Sequence, residues 1–70
     1  MLTVDQIMEY LERVIAEDTL SANRTGLKNS QRAAGFLMAA AEANGDKDLA
    51  KRFQILAARA ANQDELLGKK

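Results

Sequence analysis

Three basic residues recur at four-residue spacing in the middle of this chain: Arg24, Lys28 and Arg32. On a helix, residues four apart lie on the same face, so the three charges would form one row. Like charges at this spacing repel slightly, which indicates a compensating negative group. One interpretation is a bound anion, either nucleic acid or a small phosphorylated ligand such as a nucleotide. The other is an internal match with residues 1–20, which hold five carboxylates and one arginine.

Catalytic and metal-binding residue types are missing from the chain. It has no His and no Cys, the usual general base of nucleophilic catalysis and the usual zinc ligands. Neighbouring carboxylates occur at three expected helix ends, and capping and the helix dipole explain at least the last two of these pairs: Glu17–Asp18, Asp46–Asp48 and Asp64–Glu65. The four glycines are isolated and form no phosphate-binding loop. The sequence therefore predicts a protein that is not an enzyme and that holds no metal or cofactor.

The overall charge balance favours a protein partner over nucleic acid. The net charge is zero, the sequence pI is about 6.2 and aromatic residues make up 4% of the chain. Nucleic-acid-binding domains usually carry a strongly basic face and aromatic residues for base stacking. No segment is apolar for the length of a membrane span, and residues 1–5 lack a basic region followed by an apolar stretch. We expect a cytoplasmic protein with no membrane contact.

The apolar periodicity predicts an all-α domain over residues 1–68, followed by a frayed basic tail at residues 69–70. The first helix is expected at about 3–17, opened by a capping box of Thr3 and Gln6 and ended near Asp18, which would fall within the apolar stripe. The second is expected from residue 22 or 29 to 44, and the third from 47 to 62 or 67. The fold is either a three-helix bundle or a helical hairpin preceded by an N-terminal helix.

The second helix carries more apolar surface than an amphipathic helix that buries one face and exposes the other. Its alanines, leucines and Phe36 cover well over half of its circumference. Such a helix is expected to be buried on most sides, either between the other two helices or against a second copy of the chain. Gly35 and Ala39 form an edge of small residues that allows close helix approach, so they are candidates for a self-contact.

The third helix is expected to carry an apolar patch on its outer side. Ile55 falls among polar and charged positions, and Leu66 lies at nearly the same angle eleven residues later. Arg52 and Arg59 flank Ile55 at spacings of three and four. Exposed apolar residues bordered by arginines are typical of protein contact surfaces. These four residues are therefore the main candidates for partner binding.

Together these features predict a small, non-enzymatic protein–protein interaction module that associates with itself. It would act as a regulator, adaptor or inhibitor of a larger protein, as very small Cys-free helical chains of phages and mobile elements can. The alternative is a protein that binds nucleic acid or a nucleotide through Arg24, Lys28 and Arg32.

Overall fold

A computed structural model describes residues 1–69 of the chain. It contains three helices in order: α1 (Val4–Leu20), α2 (Arg24–Ala43) and α3 (Lys47–Gly68). Within this described part there are no strands, and the three helices pack together, so the prediction of an all-α three-helix bundle is confirmed. The bundle is elongated, with extents of 40 × 23 × 15 Å.

Helix α1 begins at the predicted capping box. The Thr3 hydroxyl accepts a hydrogen bond from the Gln6 backbone N–H at 3.1 Å, and the Thr3 N–H donates to the Gln6 side chain at 2.9 Å. The predicted end near Asp18 is wrong, because the helix continues to Leu20. The half-buried Asp18 carboxylate lies against Gly26, where the absent side chain leaves room for it.

Helix α2 begins at Arg24, close to the earlier of its two predicted starts. Asn23 caps it, and the Asn23 side-chain oxygen accepts from the Gly26 N–H at 2.9 Å. The glycine therefore lies in the first helical turn and does not divide the helix. The connection from α1 is tight, and Ala22 adopts a positive φ of 55°.

The second connection matches its expected sequence signals. Gly45 has a φ of 76°, a left-handed conformation that glycine adopts without a steric penalty. Asp46 then caps α3 by accepting from the Leu49 N–H at 3.1 Å. Helix α3 continues to Gly68, beyond the shorter of its predicted ends. Lys69 follows it as the C-cap residue, and Lys70 lies outside the described residues.

The core is small and rich in alanine. Helices α2 and α3 form the most extensive pair, and α1 packs against both. Large buried side chains are few, with Ile15 and Leu27 almost fully enclosed, and buried alanines bring α2 and α3 close together. The central cluster comprises Met8, Leu11, Ile15, Leu27, Ala34, Phe53, Leu56 and Ala60.

Helix α2 is not enclosed by its neighbours. Phe36 is 75% exposed on the side of α2 away from the core. Ala33, Ala39, Ala40 and Ala43 are also exposed. Of the two alternatives for α2, burial between α1 and α3 is therefore wrong, and part of its apolar surface is open to solvent, as the width of its apolar band predicts.

Candidate protein-interaction surfaces

The outer side of α3 presents two large apolar side chains. Ile55 is 52% exposed and Leu66 is 59% exposed. They lie eleven residues apart, which is close to three full turns, so both project from the same side of the helix. Arg52 and Arg59 are exposed beside Ile55. We call Arg52, Ile55, Arg59 and Leu66 the α3 surface.

Shallow depressions surround the α3 surface. One of about 330 Å³ lies beside Ile55 and is bordered by Arg59 and Asn62. A smaller one of about 160 Å³ lies between α1 and α3, where Glu12 faces the two arginines across the groove. A third of about 340 Å³ continues along α1 towards Leu20, which is 90% exposed. Arg59 borders all three, so the α3 surface continues into the α1–α3 groove.

The arginines of the α3 surface are available to a partner. The ion pairs within residues 1–69 join Arg24 to Asp64 and Lys69 to Glu65, so neither Arg52 nor Arg59 is engaged. A partner that carries carboxylates around an apolar centre would match this distribution of charge and apolar area.

The second surface lies on α2 and includes a residue that the sequence did not single out as a site. Phe36 was assigned to the buried band, yet it is the most exposed large apolar side chain of α2. The signal was present, because Phe36 lies about 150° from the core-facing positions around the helix axis at roughly 100° per residue.

Gly35 and Ala39 lie beside Phe36, Ala39 exposed and Gly35 half-buried. A Cβ added at Gly35 would meet no atom within 4 Å. Glycine in a helix interior lowers stability by roughly 1 kcal/mol relative to alanine. Nothing within the described part of the molecule requires this glycine, so the small edge is free for contact with another chain.

The row of basic residues is only partly available for an anion. The Arg24 Nε lies 2.8 Å from Asp64 Oδ1, and its guanidinium lies over Gly68 at the end of α3. Arg24 therefore joins the start of α2 to the end of α3. Lys28 and Arg32 are exposed and form no ion pair within residues 1–69, so no direct contact joins them to the carboxylates of α1.

An apolar groove of about 270 Å³ opens at the other end of the bundle, where the start of α1 meets the α2–α3 turn. It is lined by Val4, Ile7, Leu37, Ala40, Ala41, Asn44, Asp46, Leu49 and Phe53. The groove is shallow and open, and its lining is apolar except for Asn44 and Asp46, which cap α2 and α3.

The described residues contain neither a cluster of metal-binding side chains nor a helix able to cross a membrane. No three His, Cys, Asp or Glu side chains of residues 1–69 lie together in a way that could hold a metal ion. None of the three helices combines the length and the apolar character that crossing a membrane requires. Comparison of the chain with protein-family models, curated proteins and solved structures found no match.

Proposed function

We propose that this chain is a non-enzymatic protein–protein interaction module that binds a larger protein through the α3 surface and associates with itself through α2. It would act in the cytoplasm as a regulator, adaptor or inhibitor. The size of the chain and its lack of catalytic residue types suit the small helical proteins of phages and mobile elements.

The observation that carries the proposal is the exposure of Ile55 and Leu66 on one side of α3, with the unpaired Arg52 and Arg59 beside Ile55. Single exposed apolar residues are common on protein surfaces. Two such residues on one side of a helix, continuous with an apolar groove, are typical of a contact patch. Arginine is enriched in the centres of protein interfaces, which supports a role for Arg52 and Arg59.

The charge of the α3 surface specifies the kind of partner. An acidic amphipathic helix would place its apolar residues on Ile55 and its carboxylates beside Arg59. The α1–α3 groove is open on the same side and would accept further apolar residues of that helix.

Site-specific photo-crosslinking in the native host tests this proposal. A photoreactive residue in place of Ile55 should crosslink to a discrete partner, and the same residue in place of Arg13, on the exposed side of α1, should not. Arg59→Glu in the Ile55-labelled chain should reduce the yield. Equal crosslinking from both positions, or none from Ile55, would contradict the proposal.

Anion binding is the second candidate, because Lys28 and Arg32 are unpaired and exposed. It predicts affinity for single-stranded oligonucleotides or nucleotides that falls steeply as salt rises. Fluorescence anisotropy with a labelled oligonucleotide at low and at physiological salt tests it. If this candidate is correct, the Lys28→Glu/Arg32→Glu chain should bind the oligonucleotide much more weakly than the wild-type chain at low salt.

A further inference from the structure

One edge of α2 carries a symmetric pattern of charge and size. Its members alternate at spacings of four and three, the periodicity of a seam between two helices. From the N-terminal end they are Lys28, Arg32, Gly35, Ala39 and Glu42. We call these five residues the α2 seam. Two bases stand at one end, an acid at the other, and two small residues in the centre.

We propose that a second copy of this chain packs antiparallel along the α2 seam, with a two-fold axis passing between Gly35 and Ala39. In an antiparallel pair about this axis, residues whose numbers are equally distant from 37 lie at the same level. Gly35 then faces Ala39 of the second copy. An isologous contact of this kind is closed, so it produces a dimer.

The charges of the α2 seam become complementary in this arrangement. Arg32 lies level with Glu42 of the second copy. Both side chains are exposed, and neither forms an ion pair within the described 1–69 portion of one chain. The two-fold axis repeats the contact, giving two opposite-charge contacts. The Glu42 carboxylate of the second copy thereby offsets part of the repulsion between Lys28 and Arg32.

The centre of the α2 seam is suited to close helix approach. The absent side chain of Gly35 leaves open space beside α2, and Ala39 is small. Small residues at a helix interface let the two backbones approach closely. Phe36 flanks the seam one residue from the axis, so Phe36 of the second copy lies on the same side of the pair and only two residues away along the helix direction. The most exposed large side chain of α2 is thus partly covered.

The dimer specifies how the self-association named in the proposed function takes place, and it therefore rests on that proposed function. It leaves the α3 surface free, because the depressions beside Ile55 are lined by residues of α1 and α3 and not by residues of the α2 seam. Each dimer would therefore present two copies of the α3 surface to partner proteins.

Sedimentation velocity across a concentration series tests the seam with charge reversals. Wild-type chain is expected to move from monomer to dimer as concentration rises. Arg32→Glu and Glu42→Arg should each weaken dimerisation, raising the Kd roughly tenfold, because each places like charges together twice. Arg32→Glu/Glu42→Arg should restore the wild-type Kd. Arg13→Glu, an exposed reversal on α1, is the matched control and should have no effect.

Each outcome has a separate meaning. Restored dimerisation in the double variant supports the antiparallel register. A wild-type dimer that is unaffected by either single reversal, or not restored by the double variant, overturns the seam and leaves self-association intact. A chain that stays monomeric at every concentration overturns the seam and self-association together. Partner binding is judged separately, by crosslinking from Ile55.

Discussion

The carboxylate of Asp18 occupies the space into which a side chain at Gly26 would project. A Cβ built at Gly26 would contact Asp18 Oδ2 and would lie 2.7 Å from Asp18 Cγ. The same carboxylate lies 3.4 Å from Asn23 Nδ2, and the Asn23 side chain caps α2. The Asp18 carboxylate thus links the end of α1 to the start of α2, in space that is free because Gly26 has no side chain.

Gly26→Ala and Gly35→Ala should therefore change stability in opposite directions, although both add a good helix former to α2. At Gly35 the new methyl group meets no neighbour, so the free energy of unfolding should rise by roughly 0.5–1 kcal/mol. At Gly26 the methyl group displaces Asp18 and disturbs the Asn23 cap, so the free energy should fall. Urea unfolding at low protein concentration measures both, and an equal gain at both sites would contradict the packing at Gly26.

Ile55→Asp should leave the monomer folded. Ile55 is half exposed on α3, so its replacement should alter the free energy of unfolding by no more than roughly 0.5 kcal/mol. The adjacent Leu56 is 3% exposed, and Leu56→Ala should lower that free energy by about 2–5 kcal/mol. Thermal unfolding, monitored by circular dichroism, compares the stabilities of the Ile55→Asp and Leu56→Ala chains. Unfolding of the Ile55→Asp chain would show that Ile55 is required by the core and is not a docking residue.

The Arg24–Asp64 ion pair should contribute a small, salt-dependent coupling energy. Arg24 is 47% exposed and Asp64 is 14% exposed, so solvent screens the pair from one side. A double-mutant cycle with Arg24→Ala and Asp64→Ala should give a coupling of roughly 0.2–1 kcal/mol that decreases as salt is added. No coupling at low salt would mean that Arg24 holds the end of α3 only through its contact with Gly68.

Thr3→Ala should weaken the start of α1. It removes the hydroxyl that accepts from the Gln6 N–H, and loss of an N-cap costs about 1 kcal/mol. Thr25→Ala is the control, because Thr25 lies exposed within α2, where alanine is at least as favourable. Chemical denaturation should show a loss for Thr3→Ala alone, and equal effects would argue against the capping box.

Local signals in the sequence predicted most of the fold. The capping box at Thr3, the turn at Gly45 and the cap at Asp46 are determined by short-range chemistry, so their positions were correct. The end of α1 was not, because it depends on a contact between Asp18 and Gly26 in a different helix. A carboxylate within an apolar stripe predicts a helix end only when no neighbouring helix leaves a space that can hold the carboxylate.

The candidate site was predictable in part for a related reason. The exposure of Ile55 and Leu66 follows from their angle around α3, which spacing alone gives. The hydrophobicity of Phe36 predicts burial, whereas its angle around α2 places it on the exposed side. The ion pair of Arg24 with Asp64 spans forty residues, and no local pattern indicates it. The sequence reveals that Arg24 is charged, but which carboxylate it pairs with is decided by the packing of α2 against α3.

The buried alanines of the hairpin also bear on how this chain can evolve. Ala34, Ala41, Ala50 and Ala60 are each at most 6% exposed, and they hold α2 and α3 close together. A larger residue at any of them would force the hairpin apart. Drift at these positions is therefore confined to the smallest residue types. The outer positions of α2 and α3 carry no such restriction, so new binding partners can be acquired there while the scaffold is retained.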